Sequence, residues 1–317
     1  MAISTSSRRS PALAAALSLI AAQTALGATN TARVALNPNF SGGNGPIDLL
    51  VHNPGPVDAA AATTGGANSF GDAKTHVLYG FVQIQAHSTG SLSAQGIGSF
   101  QDTITITAPG VPNSTPGTLT YSVRVDGAIS ATAGASGASW SVATDIGGGA
   151  TDLSRGGHIS SPDLSPLGYQ GDAFGTYTAT GDFQFGFPAT ITVELHGIAG
   201  TGYSQNGEGL ASVPSLRVFW NGISAINLNG APISNFIIVS GSGFNWLGSF
   251  TPCAGDLNGD GQVDDSDFVS FVVAYNILDC ADLAMPAGCP ADFNSDGVVD
   301  DFDFVSFVVA YNELVCP

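Results

Sequence analysis

Two acidic loops near the end of the chain carry the side chains best suited to holding a metal ion. They span positions 256–267 and 292–303, and both follow the pattern D-x-N-x-D-G-x-x-D-x-x-D. Oxygen-bearing residues stand at loop positions 1, 3, 5, 9 and 12, and glycine stands at position 6, where the chain must turn sharply. Because Ca²⁺ takes about six to eight oxygen ligands, the sequence predicts two Ca²⁺ ions, one in each loop.

The predicted ligands of each ion are five side chains and one backbone carbonyl. In the first loop they are Asp256, Asn258, Asp260, Asp264 and Asp267, with the carbonyl of Gln262. In the second loop they are Asp292, Asn294, Asp296, Asp300 and Asp303, with the carbonyl of Val298. The glycines at position 6, Gly261 and Gly297, allow a turn that a side chain would obstruct.

Each loop runs into a predicted helix. Asp264 and Asp300 are placed to be N-caps, and Asp267 and Asp303 fall at position N3, where acidic side chains favour the positive helix end. Val263 and Val299 are expected to meet across a two-fold axis. Apolar residues then recur at helical spacing and predict one buried stripe per helix: Phe268, Phe271, Val272 and Tyr275, and Phe304, Phe307, Val308 and Tyr311.

The acidic residues are concentrated at the carboxyl end. Residues 251–317 contain thirteen Asp and Glu and no Lys or Arg, whereas residues 28–250 contain twelve acidic and five basic residues. Such a segment repels itself unless cations enter it, and it repels nucleic acid. Two narrow apolar stripes cannot stabilise about sixty residues unaided, so we expect bound Ca²⁺ and disulfides to contribute.

Four cysteines, at positions 253, 280, 289 and 316, follow the same 36-residue offset as the loops. None forms C-x-x-C, and no histidine lies nearby, which argues against zinc. A two-fold pair of loop–helix units would bring the chain ends together, which favours Cys253–Cys316 with Cys280–Cys289. A bridge within each repeat is the alternative.

The amino terminus has the composition of an export signal. Arg8 and Arg9 close a short polar region, an apolar stretch follows, and Ala25-Leu26-Gly27 offers a cleavage site. We therefore expect residues 1–27 to be removed on general secretion. No later segment is long enough to span a bilayer, so the mature protein is predicted to be secreted, either extracellular or held at the cell surface.

Residues 28–250 alternate between apolar and polar residues and predict a large antiparallel β-sandwich or jelly roll. The clearest runs are 102–107, 119–125, 191–196 and 216–220. Asn221-Gly222 and Asn229-Gly230 predict hairpin turns. The Gly-, Ser- and Pro-rich stretch 145–172 is expected to form a long loop.

The sandwich sequence offers few catalytic groups. Its only glutamates are Glu194 and Glu208, and we expect Glu194 to lie beside His196 on an exposed strand face. No nucleophile elbow, zinc-protease helix or phosphate loop occurs. Asp102 and Asp126 are expected to cap turns at strand ends. We interpret the tryptophans and Tyr79, Tyr121 and Tyr177 as buried aromatics rather than a sugar-stacking platform.

Residues 253–317 resemble the type I dockerin module, a tandem repeat of calcium loops each followed by a helix. Asp at loop position 12, and no helix before the loop, distinguish the repeat from an ordinary EF-hand. The resemblance implies a small all-α domain with two F-hand calcium loops that docks onto a cohesin domain. It departs from the family at loop positions 10 and 11, which are Asp265-Ser266 and Asp301-Phe302, and in lacking a basic residue on the helix.

A weaker resemblance concerns the sandwich. Residues 215–246 are similar to the closing strands of secreted bacterial β-sandwich surface proteins that end in a sorting signal, which this chain lacks. The sequence thus predicts a signal peptide (1–27), a β-sandwich (28–250) and a dockerin-like repeat (251–317). We expect a non-catalytic secreted protein that docks a cohesin-like partner and is linked to polysaccharide breakdown. The alternative is a secreted glycoside hydrolase or polysaccharide lyase anchored by its dockerin.

Overall fold

The computed structural model describes residues 28–313, except for 39–46, 56, 65–68, 91, 133–135, 162–167, 202–208, 251–254, 258–262, 283, 287–288 and 294–295. The expected signal peptide, Glu208, Asn258, Asp260, Gln262, Asn294, Cys253 and Cys316 lie outside the described residues. No helix within the described ranges has the length and apolar character needed to cross a membrane.

Within the part of the chain that the structure describes, fifteen strands precede two helices. The strands are β1 (Thr29–Pro38), β2 (Ile47–Asn53), β3 (Val57–Thr64), β4 (Phe70–Leu78), β5 (Phe81–Thr89), β6 (Leu92–Thr107), β7 (Pro116–Thr132), β8 (Ser136–Ile146), β9 (Leu153–Ser160), β10 (Gly168–Gly171), β11 (Gly175–Gln184), β12 (Pro188–Thr201), β13 (Leu210–Leu228), β14 (Ala231–Ile233) and β15 (Ile237–Ser240). The helices are α1 (Asp265–Ile277) and α2 (Asp301–Glu313).

The strands form two antiparallel sheets. Sheet A has the order β10-β9-β8-β12-β6-β1-β2, with β15 paired to β6, and sheet B has the order β11-β7-β13-β5-β4-β3, with β14 paired to β13. One hydrophobic cluster draws on both sheets, including Val34 and Leu195 of sheet A and Val82 and Val218 of sheet B. The predicted mainly β, sandwich-like fold is therefore confirmed.

Alternation along the strands explains how one face of each sheet is buried. Leu119, Tyr121, Val123 and Val125 of β7 are fully buried, whereas the residues between them are half-buried or exposed. Ile191, Val193 and Leu195 of β12 are fully buried as well, although Glu194 between them is also buried. Side chains two residues apart in a strand share a face, so the period-two pattern of the sequence places the core correctly.

The prediction of a long loop at 145–172 is wrong, because the middle of this stretch and a segment near its end form strands. Residues 153–160 form β9, which pairs with β8, and residues 168–171 form β10, which pairs with β9. The stretch is rich in glycine because neighbours approach its backbone closely: a Cβ on Gly157 would lie 2.0 Å from the hydroxyl oxygen of Tyr169. Composition alone could not separate such a strand from a loop.

One of the two predicted hairpin turns is wrong. Asn229-Gly230 does connect β13 to β14, with φ angles of 52° and 80°. Asn221-Gly222 instead lies within the nineteen-residue β13, where the register against β7 shifts between Trp220 and Ile223. Gly222 has φ of 90°, and a Cβ there would lie 2.7 Å from the carbonyl oxygen of Leu247. Positive φ with close backbone approach is typical of a bulge as well as of a turn.

Asp102 and Asp126 were expected to cap turns at strand ends, but both lie inside strands. Asp126 lies inside β7, 3.4 Å from the guanidinium of Arg124. Asp102 lies inside β6, fully buried on the core face. Its carboxylate accepts hydrogen bonds from Ser240 Oγ, Ser242 Oγ and Trp246 Nε1 at 2.6–2.7 Å and from the backbone N–H of Ser242 at 3.0 Å. Asp102 thus fastens the segment that follows β15 to sheet A.

The candidate calcium loops and the carboxylates of the sandwich

Both helices begin as the sequence predicts. Asp264 is the N-cap of α1, and its side chain accepts from Ser266 N, while Asp267 at N3 accepts from the backbone N–H of Asp264, which completes a capping box. In the second repeat the Asp300 side chain accepts from Phe302 N at 2.8 Å, and Asp303 accepts from Asp300 N at 2.9 Å. The capping energy of both helices therefore depends on the last two aspartates of each loop.

Asp267 and Asp303 also bind the opposite end of their own loops. Asp267 Oδ1 accepts from Leu257 N at 2.7 Å, and Asp303 Oδ1 accepts from Phe293 N at 2.8 Å. Both carboxylates are fully buried. Each thus joins position 2 of its loop to the first turn of the following helix, so the loop is closed into a ring.

The first aspartate of the second loop turns its oxygens toward the loop interior. Asp292 accepts from Gly297 N at 2.9 Å and from Asp296 N at 3.2 Å, and Asp296 in turn accepts from Val298 N at 3.0 Å. Gly297 has φ of 93°, which matches the sharp turn expected at position 6. In the first loop, only Asp256, Asp264 and Asp267 of the predicted ligands are described.

The donor set of the described positions fits a hard divalent cation. Its members are carboxylates and the carbonyl of Val298, without nitrogen or sulfur. Two carboxylates without exposed surface lie in a segment that contains no Lys or Arg. Burying a carboxylate is costly unless a cation or several N–H donors compensate it. Each of these carboxylates accepts two backbone N–H bonds, but residues 251–317 contain no basic side chain that could neutralise its charge. These residues, Asp256, Asp264 and Asp267 and Asp292, Asp296, Asp300 and Asp303, would hold the ion.

The carboxylates of the second loop are not drawn together in a tight cluster. Among the described residues, three ligand-type atoms approach one another within 4.8 Å only at Cys280, Cys289 and Asp292. These two cysteines form a disulfide, so their sulfurs are not available as metal ligands. We therefore assign no metal to that group.

The Cys280–Cys289 disulfide joins the end of the first repeat to the start of the second. It excludes the alternative in which each repeat has its own bridge, because that arrangement requires Cys280 to pair with Cys253. The bridge is accompanied by short backbone contacts: Val299 N donates to Leu278 O at 2.8 Å, and Cys280 N donates to Gly297 O at 3.1 Å.

The buried stripe of the helices differs from the prediction. Phe271 and Phe307 are buried, together with Ala274, Val263 and Val299, in one small core. Phe268, Val272, Phe304 and Val308 were expected in that stripe, but they are exposed by about 40 %. The helices are apolar on nearly every side, so periodicity did not define a single face. The core takes the positions in line with Asp267, which are 271 and 274.

The pair Glu194 and His196 was expected on an exposed face and is instead buried, each residue being 7 % accessible. Glu194 Oε1 and His196 Nε2 share a hydrogen bond of 2.5 Å. The strand does turn these residues away from the sandwich core, but flanking strands β6 and β8 enclose them on the outer face of sheet A. Central position in the sheet, which the sequence did not reveal, accounts for the burial.

Two further polar residues of this outer face were missed by sequence analysis. Asp145 on β8 and Gln101 on β6 lie opposite Thr192 of β12, one step along the sheet from Glu194. Asp145 is 3 % accessible, and its Oδ2 has no hydrogen-bond partner among the described residues, nor do Gln101 Oε1 and His196 Nδ1. The signal available in the sequence was the alternation along β12, which places Thr192, Glu194 and His196 on one face of the strand.

Asp152 is a third polar residue that sequence analysis missed. Its Oδ2 accepts from Ile146 N at 2.8 Å and from the Tyr121 hydroxyl at 3.2 Å. Burial raises the pKa of Asp152 to about 6, with a smaller contribution from the nearby charges of Asp145 and Asp182. Burial also raises the pKa of Tyr121. Asp152 lies on the core side of β11, against Gly181, whereas Asp182 points outward, so the two carboxylates cannot flank one substrate.

The tryptophans belong to the core, as expected. Trp140, Trp220 and Trp246 are at most 3 % accessible, and Tyr121 stacks on Trp220 with ring centroids 5.1 Å apart. Tyr79 and Tyr177 are half-buried. The three tryptophans therefore do not form an exposed platform for sugar rings.

Comparison with known proteins adds no assignment. No family model matches the chain, no curated protein is significantly similar to it, and no solved structure matches its fold.

Proposed function

We propose that this protein is a secreted, non-catalytic β-sandwich protein whose carboxyl-terminal module, residues 251–317, folds around two Ca²⁺ ions and docks onto a partner outside the cell. The observation that carries the proposal is the pair of fully buried carboxylates, Asp267 and Asp303, in a segment without a basic residue. Ca²⁺ supplies the positive charge that the segment lacks, and it links each loop to the helix that follows.

Docking is supported by the apolar side chains that both helices leave exposed. Val269 and Val273 of α1 are 63 % and 50 % accessible, and their counterparts Val305 and Val309 of α2 are 62 % and 58 % accessible. Phe302 is 73 % accessible. An apolar surface of this kind on a small domain is typical of a protein-binding face.

The negative charge of the module indicates what charge its partner's surface should have. Carboxylates such as Asp265 and Asp301 border the exposed valines, and residues 251–317 contain no Lys or Arg. A complementary surface has an apolar centre and a rim of Lys and Arg. A cohesin-like domain with such a rim fits this description and is the partner that we propose.

Calorimetric titration of the full chain with Ca²⁺ tests the metal. We expect two ions per chain, and EDTA should abolish the helical signal of the module while the sandwich unfolds at an unchanged temperature. Asp303→Ala should reduce the number of bound ions to one. The control is Asp282→Ala in the segment between the repeats, where two ions should still bind. Absence of Ca²⁺ uptake by the unaltered chain would reject the proposal.

Binding to a panel of recombinant cohesin domains tests docking. We expect capture in Ca²⁺ and release in EDTA, and Val269→Asp together with Val305→Asp should abolish capture without changing the number of bound ions. Leu50→Asp, at an exposed apolar site on the sandwich, is the control and should bind normally. Calcium uptake without capture by any member of the panel would retain the metal and reject this partner.

The alternative of a polysaccharide-acting enzyme is favoured by one observation, the buried Glu194–His196 pair beside Asp145. Diagonal neighbours on antiparallel strands have Cα atoms about 7–8 Å apart, and glycosidases place two carboxyl groups roughly 5–9.5 Å apart. Release of reducing sugar from a polysaccharide panel, abolished by Glu194→Gln and by Asp145→Asn, would establish the enzyme. Absence of release favours the non-catalytic protein.

A further inference from the structure

A groove of about 700 Å³ opens at one end of the sandwich, far along the chain from the calcium loops. Its walls are two tight turns. The turn between β11 and β12 contributes Phe187, followed by Pro188 at the start of β12, and the turn between β13 and β14 contributes Asn229 and Gly230. The groove therefore lies between elements whose positions the two sheets determine.

The floor of the groove is a row of polar side chains across three strands. Asp182 of β11 lies opposite Thr118 of β7, and Thr118 lies opposite Asn227 of β13. Asn227 Nδ2 donates to Thr118 Oγ1 at 3.2 Å. An amide has two N–H donors and a carbonyl acceptor, so this bond leaves one donor and the acceptor of Asn227 for a ligand.

Aromatic rings support the floor from the core side. Phe183 and Phe185 are buried with ring centroids 4.8 Å apart, and a Cβ on Gly117 would lie 2.7 Å from either ring. Gly117 is thus required where β7 crosses them. A floor packed in this way is formed before a ligand arrives, which reduces the entropy that binding must overcome.

Phe187 provides an apolar surface at the mouth. It is 46 % accessible, whereas Phe183 and Phe185, four and two residues earlier, are buried. An exposed ring beside hydrogen-bonding carboxylate and amide groups suits a ligand with one apolar face and many hydroxyl groups.

The charge of the groove narrows the ligand class. Asp182 is the only charged residue among the described residues that line it. A single carboxylate with amides repels phosphate, sulfate and uronate groups, and nothing in this lining pairs with them. A carboxylate accepts hydrogen bonds from hydroxyl groups. The lining therefore disfavours anionic ligands, and its hydrogen-bonding groups beside an exposed ring suit a neutral ligand that is rich in hydroxyl groups.

We propose that this groove binds a segment of a neutral polysaccharide, with a sugar ring against Phe187 and its hydroxyl groups bonded to Asp182 and Asn227. The site gives the sandwich a binding role that is independent of the calcium module. It goes beyond the proposed function by assigning a ligand class to particular side chains of the sandwich.

Titration of the ¹⁵N-labelled full chain with neutral hexasaccharides of glucose, xylose and mannose tests the groove. At least one should shift the amide resonances of Asp182, Phe187 and Asn227. Phe187→Ala and Asp182→Asn should each weaken its binding about tenfold. Thr178→Ala, on the same strand and face as Asp182 but nearer the middle of the strand, and Leu210→Ala should leave affinity unchanged.

A second probe tests the charge argument. A galacturonate hexasaccharide should not bind the unaltered chain, and Asp182→Asn should increase its affinity. The proposal is overturned if no neutral hexasaccharide shifts these resonances, or if Phe187→Ala and Asp182→Asn bind like the unaltered chain. Repeating the titration in EDTA separates the two proposals, because sugar binding should persist when the calcium module is unfolded.

Discussion

The Tyr275 hydroxyl donates a hydrogen bond of 2.6 Å to Oδ1 of Asp301, and the same bond recurs 36 residues later between the hydroxyl of Tyr311 and Oδ1 of Asp265. Each helix thus ends against the start of the other, in two copies related by a pseudo-two-fold axis. The sequence repeat is a repeat in space, and the two tyrosines tie the halves of the module together.

Tyr275→Phe and Tyr311→Phe should have equal and small destabilising effects, because the two bonds are equivalent and exposed to solvent. The hydrogen bond to Asp301 raises the pKa of Tyr275, and the bond to Asp265 raises the pKa of Tyr311. This contribution to stability is present at neutral pH and is lost as pH rises through the raised pKa. Alkaline unfolding followed by circular dichroism measures it, and unequal effects of the two substitutions would contradict the two-fold arrangement.

Removal of the Asp102 carboxylate should destabilise the sandwich severely. Asp102→Ala leaves several buried donors of Ser240, Ser242 and Trp246 without an acceptor, at a cost of about 3–5 kcal/mol. Urea unfolding followed by tryptophan fluorescence measures the loss. Asp126→Ala is the control, because its ion pair with Arg124 is partly exposed and worth at most about 1 kcal/mol. Similar losses of stability in the two variants would show that the hydrogen bonds of Asp102 stabilise the sandwich no more than a partly exposed ion pair does.

The Cys280–Cys289 bridge should stabilise the module without affecting the sandwich. Its sequence separation is 9, and closing so short a loop contributes about 2–3 kcal/mol on the chain-entropy estimate. The double substitution Cys280→Ser and Cys289→Ser should lower the melting temperature of the helical signal, while that of the sandwich stays constant. Excess Ca²⁺ should restore part of the loss, because ligand binding stabilises the folded state. A shift of the sandwich transition would be the contrary result.

The contribution of Asp152 to the stability of the sandwich should fall as pH rises. Its pKa is about 6 in the folded protein, above the ordinary value of 3.8, so its contribution is full below about pH 4 and is lost as pH rises through 6. A two-unit shift corresponds to about 3 kcal/mol, and solvent screening at this partly open position reduces the expected effect to about 1 kcal/mol. Asp152→Asn should not show this fall between pH 4 and 7.

The contribution of Asp48 to stability should depend on pH in the opposite direction. The hydrogen bond from Arg33 lowers the pKa of Asp48, so this pair contributes above the ordinary carboxyl pKa and loses its contribution as pH falls. Parallel urea titrations of the unaltered chain and Asp152→Asn at pH 4 and 7 measure the difference. Parallel pH profiles for the two proteins would show that Asp152 is not responsible.

Local patterns in the chain determined the strands, the caps of the two helices and the repeated loops. Alternation with a period of two placed the buried faces of β7 and β12, because neighbouring side chains of a strand point to opposite faces. Asp264 and Asp300 were recognisable as N-caps because a capping bond spans only two or three residues. These features depend on separations of a few residues, which the sequence displays directly.

Tertiary structure decided everything that depends on which strand lies beside which. Only the order of sheet A shows that Glu194 and His196 are enclosed between β6 and β8 and that Asp145 lies beside them. Only the packing against Ser240, Ser242 and Trp246 explains a carboxylate at Asp102 on an apolar strand face. The groove at Asp182 and Asn227 unites strands that are more than forty residues apart in sequence. Such contacts leave no local periodicity, because the energy that selects them is the burial of whole faces against each other.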